Sequence, residues 1–403
     1  MKSHKQPNGI TSPKGILAAG MHSGIKQASG LDLALVYSEQ PGPIAGTLTT
    51  NRIKAAPIVL TQRQLRKSKG QAFIINSGNA NAFTGVQGFT DAQAMARTAS
   101  SALGIPVSHV YVGSTGVIGR PLPIKKIDAA IPRLVTKLRR SGHLEAAKAI
   151  MTTDTYPKEA AFKTKIGGQI VTVGGMAKGS GMIHPNMATM LAYLTTDANI
   201  SPAALRLALT TTVNQSFNCI TVDGDTSTND AVLCLSNGKA ENTLILPHTP
   251  QWKIFQALLK EVCLALAMQI CRDGEGCTKL VEIVVRGTKS VKGAKQIAET
   301  VATSLLVKTA LFGEDPNWGR IIAAAGRAGV PFSPDSLELR FDDIAVVKSG
   351  QRMGPQADRQ AKRILRKQNF TVTLFVGSHG HSHRLWTTDL SYEYVRINAS
   401  YTT

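Results

Sequence analysis

Short apolar runs separated by turn residues fill the first part of the chain. Residues 33–37, 44–48, 56–60 and 72–75 are each too short for an ordinary helix, so each predicts a strand, and Asn76-Ser77-Gly78-Asn79 closes the last as a turn. The period then changes: Ala and Met recur at helical spacing after a Thr-Asp start, predicting a helix over 90–102. Residues 107–112 read as a strand running into Gly113-Ser114-Thr115-Gly116-Val117-Ile118-Gly119, and 124–151 as a long helix-prone stretch broken at Pro132 and at Ser141-Gly142. A hairpin follows, 161–166 and 169–173 turned at Gly167-Gly168, then a buried strand at 190–194 and a helix over 202–213 with Ser201 as cap and Pro202 at its first position. Further helices are expected at 252–271, 296–309, 321–329 and 356–366, with strands at 279–285, 337–341 and 371–376. Such alternation is that of a mixed α/β protein.

Composition narrows the class. A chain of 403 residues with 43% hydrophobic and 18% charged residues can bury a large core and divide into two or three lobes. No apolar run approaches the roughly 20 residues of a membrane span, and 16–21 is too short for a signal-peptide core, so a cytoplasmic protein with no membrane partner is expected. Five cysteines without a C-x-x-C pair predict reduced, packed thiols; Cys271 and Cys277 flank a Gly-rich turn, which leaves them a minor catalytic or metal alternative. The formal net charge of +20 raises nucleic-acid binding as a rival function. The basic clusters at 63–69, 133–140 and 359–367 are not interleaved with aromatics and carry no nucleic-acid-binding signature, so they read as solvated faces that help to steer anionic substrates.

Candidate chemistry centres on residues 174–194, GGMAKGSGMIHPNMATMLAYL. Glycines, then Pro185, bend the backbone sharply before the apolar run and set Thr189 at the hinge. A threonine hydroxyl needs a base, and no His-Asp pair is spaced beside Thr189 as in a triad. Cutting the Ala188-Thr189 bond would supply one: the new α-amine, with a reference pKa of about 7.7–8.0 against about 10.4 for lysine, is the better base near neutrality. Elsewhere, the glycines of 113–119 suit either an ordinary turn or backbone N–H groups aimed at an anion. Thr152-Thr153-Asp154 could cap a helix or bind a carboxylate, and Lys178, lying among glycines, reads as solvent-exposed. His184 reads as structural. Asp223, Asp225 and Asp230 lack the calcium-loop pattern and read as a structural loop near the site. His379, His381 and His383 alternate on one strand, a geometry that could hold a metal, although no metal is assigned.

The segment KGSGMIHPNMATML resembles the self-cleavage segment of the glutamate N-acetyltransferase (ornithine acetyltransferase) family of the cyclic arginine pathway. AAGMHSGIK, TTNRIKAAPI, NSGNANAFTG, GSTGVIG, IMTTDTYPKEA, DPNWGR and YVRINASYTT resemble family segments in the same order, so the likeness covers nearly the whole chain. It departs at GSHGHSH, where family members commonly have small residues. The resemblance implies a stacked-sheet α/β/β/α sandwich analogous to N-terminal nucleophile hydrolases, cut between Ala188 and Thr189 into chains 1–188 and 189–403 that stay together and pair to α2β2. It implies Thr189 as nucleophile, Thr115 and Gly116 as oxyanion hole, and Thr152, Lys178, Thr189, Glu275, Asn398 and Thr403 as substrate contacts, with Thr153 the alternative to Thr152. The implied reaction passes the acetyl group of N2-acetyl-L-ornithine to L-glutamate through an acetyl-Thr189 ester, with no cofactor, and leaves open acetyl-CoA as a second donor. An aminopeptidase or amidase of the same fold, with water in place of glutamate, is the rival within the fold.

Overall fold

The computed structural model describes residues 3–27, 30–184 and 190–400, in two compact units. Ala188, Thr189 and Thr403 lie outside the described residues.

The first unit holds residues up to Asn218 and Asp225–Ile270. Its strands are β1 (His4–Lys5), β2 (Ile16–Met21), β3 (Leu33–Leu48), β4 (Lys69–Asn79), β5 (Val110–Val117), β6 (Lys158–Ile166), β7 (Gln169–Lys178), β8 (Leu191–Thr196) and β9 (Ala231–Ser236). Its helices are α1 (Ala56–Gln64), α2 (Gly85–Leu103), α3 (Ile124–Val135), α4 (His143–Ala149), α5 (Pro202–Asn214) and α6 (Pro250–Arg272), the last two residues of which fall in the second unit. Strand order is β1-β6-β7-β8-β9-β3-β4-β5, with β2 also on β3. The two predicted strands at 33–37 and 44–48 are one strand: the first half of β3 pairs with β2 and β4, the register shifts between Tyr37 and Gly42, and the second half pairs with β9. That shift bends the sheet into two stacked layers.

Side-chain alternation then builds the cores. Along β3 and β4, Leu33, Leu35, Ala72 and Ile74 face α1, α2 and α3, while Ala34, Val36, Phe73 and Ile75 face Met176, Leu191, Tyr193 and Leu233 of the other layer. On the far side Leu194 and Leu266 of α6 crowd Gly175, and the Trp252 indole N–H donates to Ala204 of α5 at 2.9 Å. The layers therefore run helix, sheet, sheet, helix, the expected sandwich. Helix α6 is long and apolar enough to cross a membrane by length and composition; ten of its residues from Trp252 to Cys271 are buried core positions, so it acts as a core helix.

The second unit, Cys219–Gly224 and residues from Cys271 to the C-terminal helix, holds β10 (Leu280–Gly287), α7 (Val291–Ala302), α8 (Leu305–Phe312), α9 (Trp318–Gly326), β11 (Glu338–Phe341), β12 (Ile344–Lys348), β13 (Gln351–Arg352), α10 (Pro355–Leu365), β14 (Asn369–Phe375), β15 (His379–Thr388) and α11 (Tyr392–Ser400). Its sheet runs β13-β12-β11-β14-β10-β15, and Val281, Ile283 and Val285 pack beneath Ile297, Val301 and Ile321.

Four expectations are corrected. Asn76-Ser77-Gly78-Asn79 is no turn but the end of β4, paired with β5 as far as Val117, its bend absorbed by a register slip. Residues 56–60 form α1, not a strand: Pro57 sits in the first turn, where its missing N–H costs nothing. Residues 296–309 are two helices, because α7 ends at Ala302 and α8 restarts after Ser304. Helix α3 runs through Pro132 to Val135: the proline gives up its own hydrogen bond to the carbonyl four residues back, and the helix ends within a turn of it.

Candidate active site

Strand β5 carries the glycine-rich segment inside the sheet rather than after it. Gly113 is required because a Cβ there would stand 1.9 Å from the Tyr193 hydroxyl. Gly116, at φ 130°, lies against Gly78 and Asn79 of β4, where the ladder slips register. Side-chain amides hold this bend: Ser114 Oγ donates to Asn76 Oδ1 at 2.6 Å, Asn76 Nδ2 to the Asn79 carbonyl at 2.8 Å, and Asn229 Nδ2 to the carbonyls of Ala80 at 2.7 Å and Ser114 at 2.8 Å. Thr115 is thus presented on a fixed backbone, 7% exposed.

Thr115 lines a small cavity with Lys178, Met190, Leu191, Ser227, Asn229 and Asp230. Lys178 is the last residue of β7, pairs in register with Leu191, and is only 4% exposed, not solvated as its sequence surroundings imply. Its ammonium acts on two carboxyl groups, Asp154 and Asp230. Asp154 organises the loop after α4: it accepts the Lys158 ammonium at 2.6 Å, the Gly179 N–H at 2.7 Å and the Thr152 N–H at 2.9 Å. Burial alone would raise its pKa, yet the Lys178 and Lys158 cations and the Gly179 N–H hold it down at about 2. Thr153 Oγ1 is 2.7 Å from Ser180 Oγ. Lys26 ties down the same loop, donating to the carbonyls of Met151 at 2.8 Å and Leu31 at 2.9 Å, and its own pKa is lowered chiefly by burial.

In the second unit, Glu275 and Asn398 meet: Asn398 Nδ2 donates to Glu275 Oε2 at 2.8 Å. The contact is set by α11, which seats on the Glu275 turn through Ser391 Oγ on the Gly276 carbonyl at 2.5 Å, and Gly276 leaves no room for a Cβ against the Tyr394 nitrogen at 2.4 Å. Behind it Asp389 accepts the N–H groups of Thr278 at 2.9 Å and Lys279 at 3.0 Å. Lys308, fully buried, donates to Thr388 Oγ1 at 3.0 Å and to the Thr388 carbonyl, and burial drops its pKa to about 8.

Thr115, Gly116, Thr152 and Lys178 therefore gather in the first unit, and Glu275 and Asn398 pair in the second. Lys158, Asn229 and Lys26 are not singled out by the sequence, which reads Asp154 only with Thr152 and Thr153 as a helix cap or carboxylate site. Among the described residues, no group of three or more His, Cys, Asp or Glu is placed to hold a metal; burial and the nearby Lys295 charge push His383 down to about 4. The five cysteines are thiols, all buried except half-buried Cys277, and burial raises the Cys234 thiol to about 12. A raised pKa leaves little thiolate, so these are poor nucleophiles.

The sequence profile of the ArgJ family matches residues 17–403. The arginine biosynthesis bifunctional protein ArgJ of Symbiobacterium thermophilum is 48% identical over 98% of both chains, and that of Oceanobacillus iheyensis is 45% identical over 98% of this chain and 96% of its own. A solved structure, ornithine acetyltransferase from Mycobacterium tuberculosis complexed with ornithine, is 41% identical, with a TM-score of 0.43 over 46% of this chain and 98% of that one. The chain belongs to the ArgJ family.

Proposed function

We propose that the chain is the acetyltransferase that carries the acetyl group of N2-acetyl-L-ornithine to L-glutamate in arginine biosynthesis, with Thr189 as nucleophile. The observation that carries this reading is identity of 48% along 98% of both chains with a relative whose name states bifunctional arginine biosynthesis. It is supported by Thr115, Lys178 and Met190 lining one cavity, since Met190 is covalently next to Thr189.

The chemistry follows from the residue types. Thr189 Oγ attacks the Ala188 carbonyl, the peptide nitrogen leaves, and water hydrolyses the resulting ester, so the chain is cut into 1–188 and 189–403 with an amine at Thr189. That amine takes the Oγ proton as the hydroxyl attacks the acetyl carbonyl of acetylornithine. Thr115 and Gly116 stabilise the oxyanion, a role worth about 10²–10³ in rate for one donor. The intermediate collapses as the amine returns the proton to departing ornithine, leaving acetyl-Thr189. The α-amine of glutamate then attacks the ester, the Thr189 oxygen leaves and regains a proton, and N-acetylglutamate departs. Lys178 and Thr152 suit substrate carboxylate binding, and Glu275 with Asn398 and Thr403 suit the substrate ammonium and the seating of the chain end. We further place acetyl-CoA as a second donor, the assembly as α2β2 and the enzyme in the cytoplasm.

Intact mass and denaturing electrophoresis of the wild type beside Thr189→Ala test this reading, followed by acetyl exchange between labelled acetylornithine and glutamate. Two fragments split at Ala188-Thr189 in the wild type and one inactive, uncut chain in the variant are expected. An uncut wild type that still exchanges acetyl groups refutes the mechanism. Release of acetate without any glutamate product identifies the amidase instead.

A further inference from the structure

Asp230 stands immediately before β9 and is 1% exposed. Its main chain is fixed on both sides: its carbonyl accepts the Thr49 N–H at 2.9 Å, and the following Ala231 N–H donates to the Met190 carbonyl at 3.2 Å. Its side chain reaches toward the same neighbour, Oδ1 accepting the Met190 N–H at 2.9 Å. That N–H belongs to the peptide bond joining residues 189 and 190. Among the described residues nothing hydrogen-bonds the other oxygen, Oδ2, although it is buried. A buried carboxyl oxygen without a partner is costly and rare in native proteins, and it marks a place where a donor is expected. The carboxyl lines the cavity that holds Thr115 and Lys178.

Covalent geometry puts one candidate donor within reach. The α-nitrogen of any residue lies at most about 3.6 Å from the nitrogen of the next, so one carboxyl can bridge both. We propose that Asp230 is a positioning residue for the nucleophile: Oδ1 holds the Met190 N–H while Oδ2 accepts an N–H of the Thr189 α-amine, turning its lone pair toward Thr189 Oγ. The proposal rests on Thr189 being the self-cleaved nucleophile. Asp230 takes no proton in the transfer step; the Oγ proton passes to the amine and then to the leaving ornithine nitrogen.

In the uncut chain the electrostatics hold Asp230 back from charge. Burial raises the Asp230 pKa well above the carboxylate range, and the Met190 N–H, the Lys178 ammonium and the Ser227 hydroxyl and N–H offset it only in part. Lys178, at the end of β7, is the charged group that acts on Asp230 among the described residues. Cleavage would add a second cation, the α-ammonium, beside the open oxygen, which favours the carboxylate. By the same coupling the carboxylate supports protonation of the amine, so removing it should lower the amine pKa.

The full chain is purified as wild type, Asp230→Asn, Asp230→Glu and Thr189→Ala, and each is followed by thermal unfolding, intact mass and the pH profile of acetyl exchange. Asp230→Asn keeps an oxygen for the Met190 N–H but loses the charge. It is expected to melt near the wild type, to cleave more slowly, and to lose about 10²-fold in kcat at nearly constant KM. The acid limb of its kcat/KM profile should move to lower pH, a change that a purely structural residue would not cause. Wild-type kcat with an unmoved acid limb overturns the proposal, as does a rise in KM alone, which would make Asp230 a substrate contact. If Asp230→Asn fails to fold, Asp230→Glu decides: reduced kcat with the wild-type acid limb supports the assignment, and wild-type kcat overturns it. An active Thr189→Ala would instead refute the proposed nucleophile, whatever Asp230 does.

Discussion

Removing the Asp154 carboxyl should unfold the first unit more readily than removing any other single side chain of the loop between α4 and β6. Asp154 is 8% exposed and accepts three donors, the Lys158 ammonium at 2.6 Å, the Gly179 N–H at 2.7 Å and the Thr152 N–H at 2.9 Å. Its pKa falls from the ordinary 3.8 to about 2, and at 1.36 kcal/mol per pH unit this is worth about 2 kcal/mol. Because the folded-state value is the lower one, the contribution is present above about pH 4 and disappears as pH falls through 2. Asp154→Ala costs more than that, because Lys158, 0% exposed, then loses the carboxylate at 2.6 Å. Breaking a buried pair in this way costs about 3–5 kcal/mol, against a total stability of about 5–15 kcal/mol. Urea unfolding at pH 7 of Asp154→Ala, Lys158→Met and the double variant measures it. The double variant should be more stable than Asp154→Ala alone, since it also removes the buried ammonium. A cost below about 1 kcal/mol for Asp154→Ala, or strictly additive single effects, would refute the reasoning.

Two further outcomes separate structure from chemistry. Gly116→Ala would press a Cβ to 2.4 Å from the Gly78 carbonyl carbon and 2.5 Å from the Asn79 nitrogen, so it should destabilise by about 3 kcal/mol in thermal unfolding, whereas Thr115→Ala should fold normally and lose about 10²–10³ in exchange rate. Lys308 has a folded pKa of about 8 against an ordinary 10.5, so its contribution to stability is full above 10.5 and lost as pH falls through 8, about 3 kcal/mol over that span. Lys308→Met should flatten that part of the stability profile, and an unchanged slope in urea titrations would count against it.

Local pattern made most elements readable. The strands at 33–37, 44–48 and 72–75 and the Ser201-capped helix stand where the periods put them, with Ser201 Oγ accepting the Ala204 N–H at 3.2 Å. What local pattern could not show was continuity: nothing in Ser38-Glu-Gln-Pro-Gly-Pro43 says that β3 runs on across a register shift into the second layer. Residues 56–60 misled because a short apolar run fits either period, although Pro57 was a helix-start signal. In the candidate site, resemblance supplied the roles of Thr115, Lys178 and Glu275, but their setting depends on partners far apart in sequence. Asn229 reaching Ser114 and Asp230 reaching Met190 are products of strand order, which no window along the chain contains.

The strand order also bears on what a cut between residues 188 and 189 would do to the molecule. Strands β8 and β9 come after that bond and stand side by side, flanked by β7 and β3, which come before it. The later segment is thus inserted into the earlier one like a tenon in a mortise, hydrogen-bonded along both edges. Pulling the pieces apart would require stripping two ladders and opening the core around Tyr193 and Leu233 at once. A nick at that bond would leave both ladders, and the packing around Tyr193 and Leu233, in place to hold the two pieces of the first unit together.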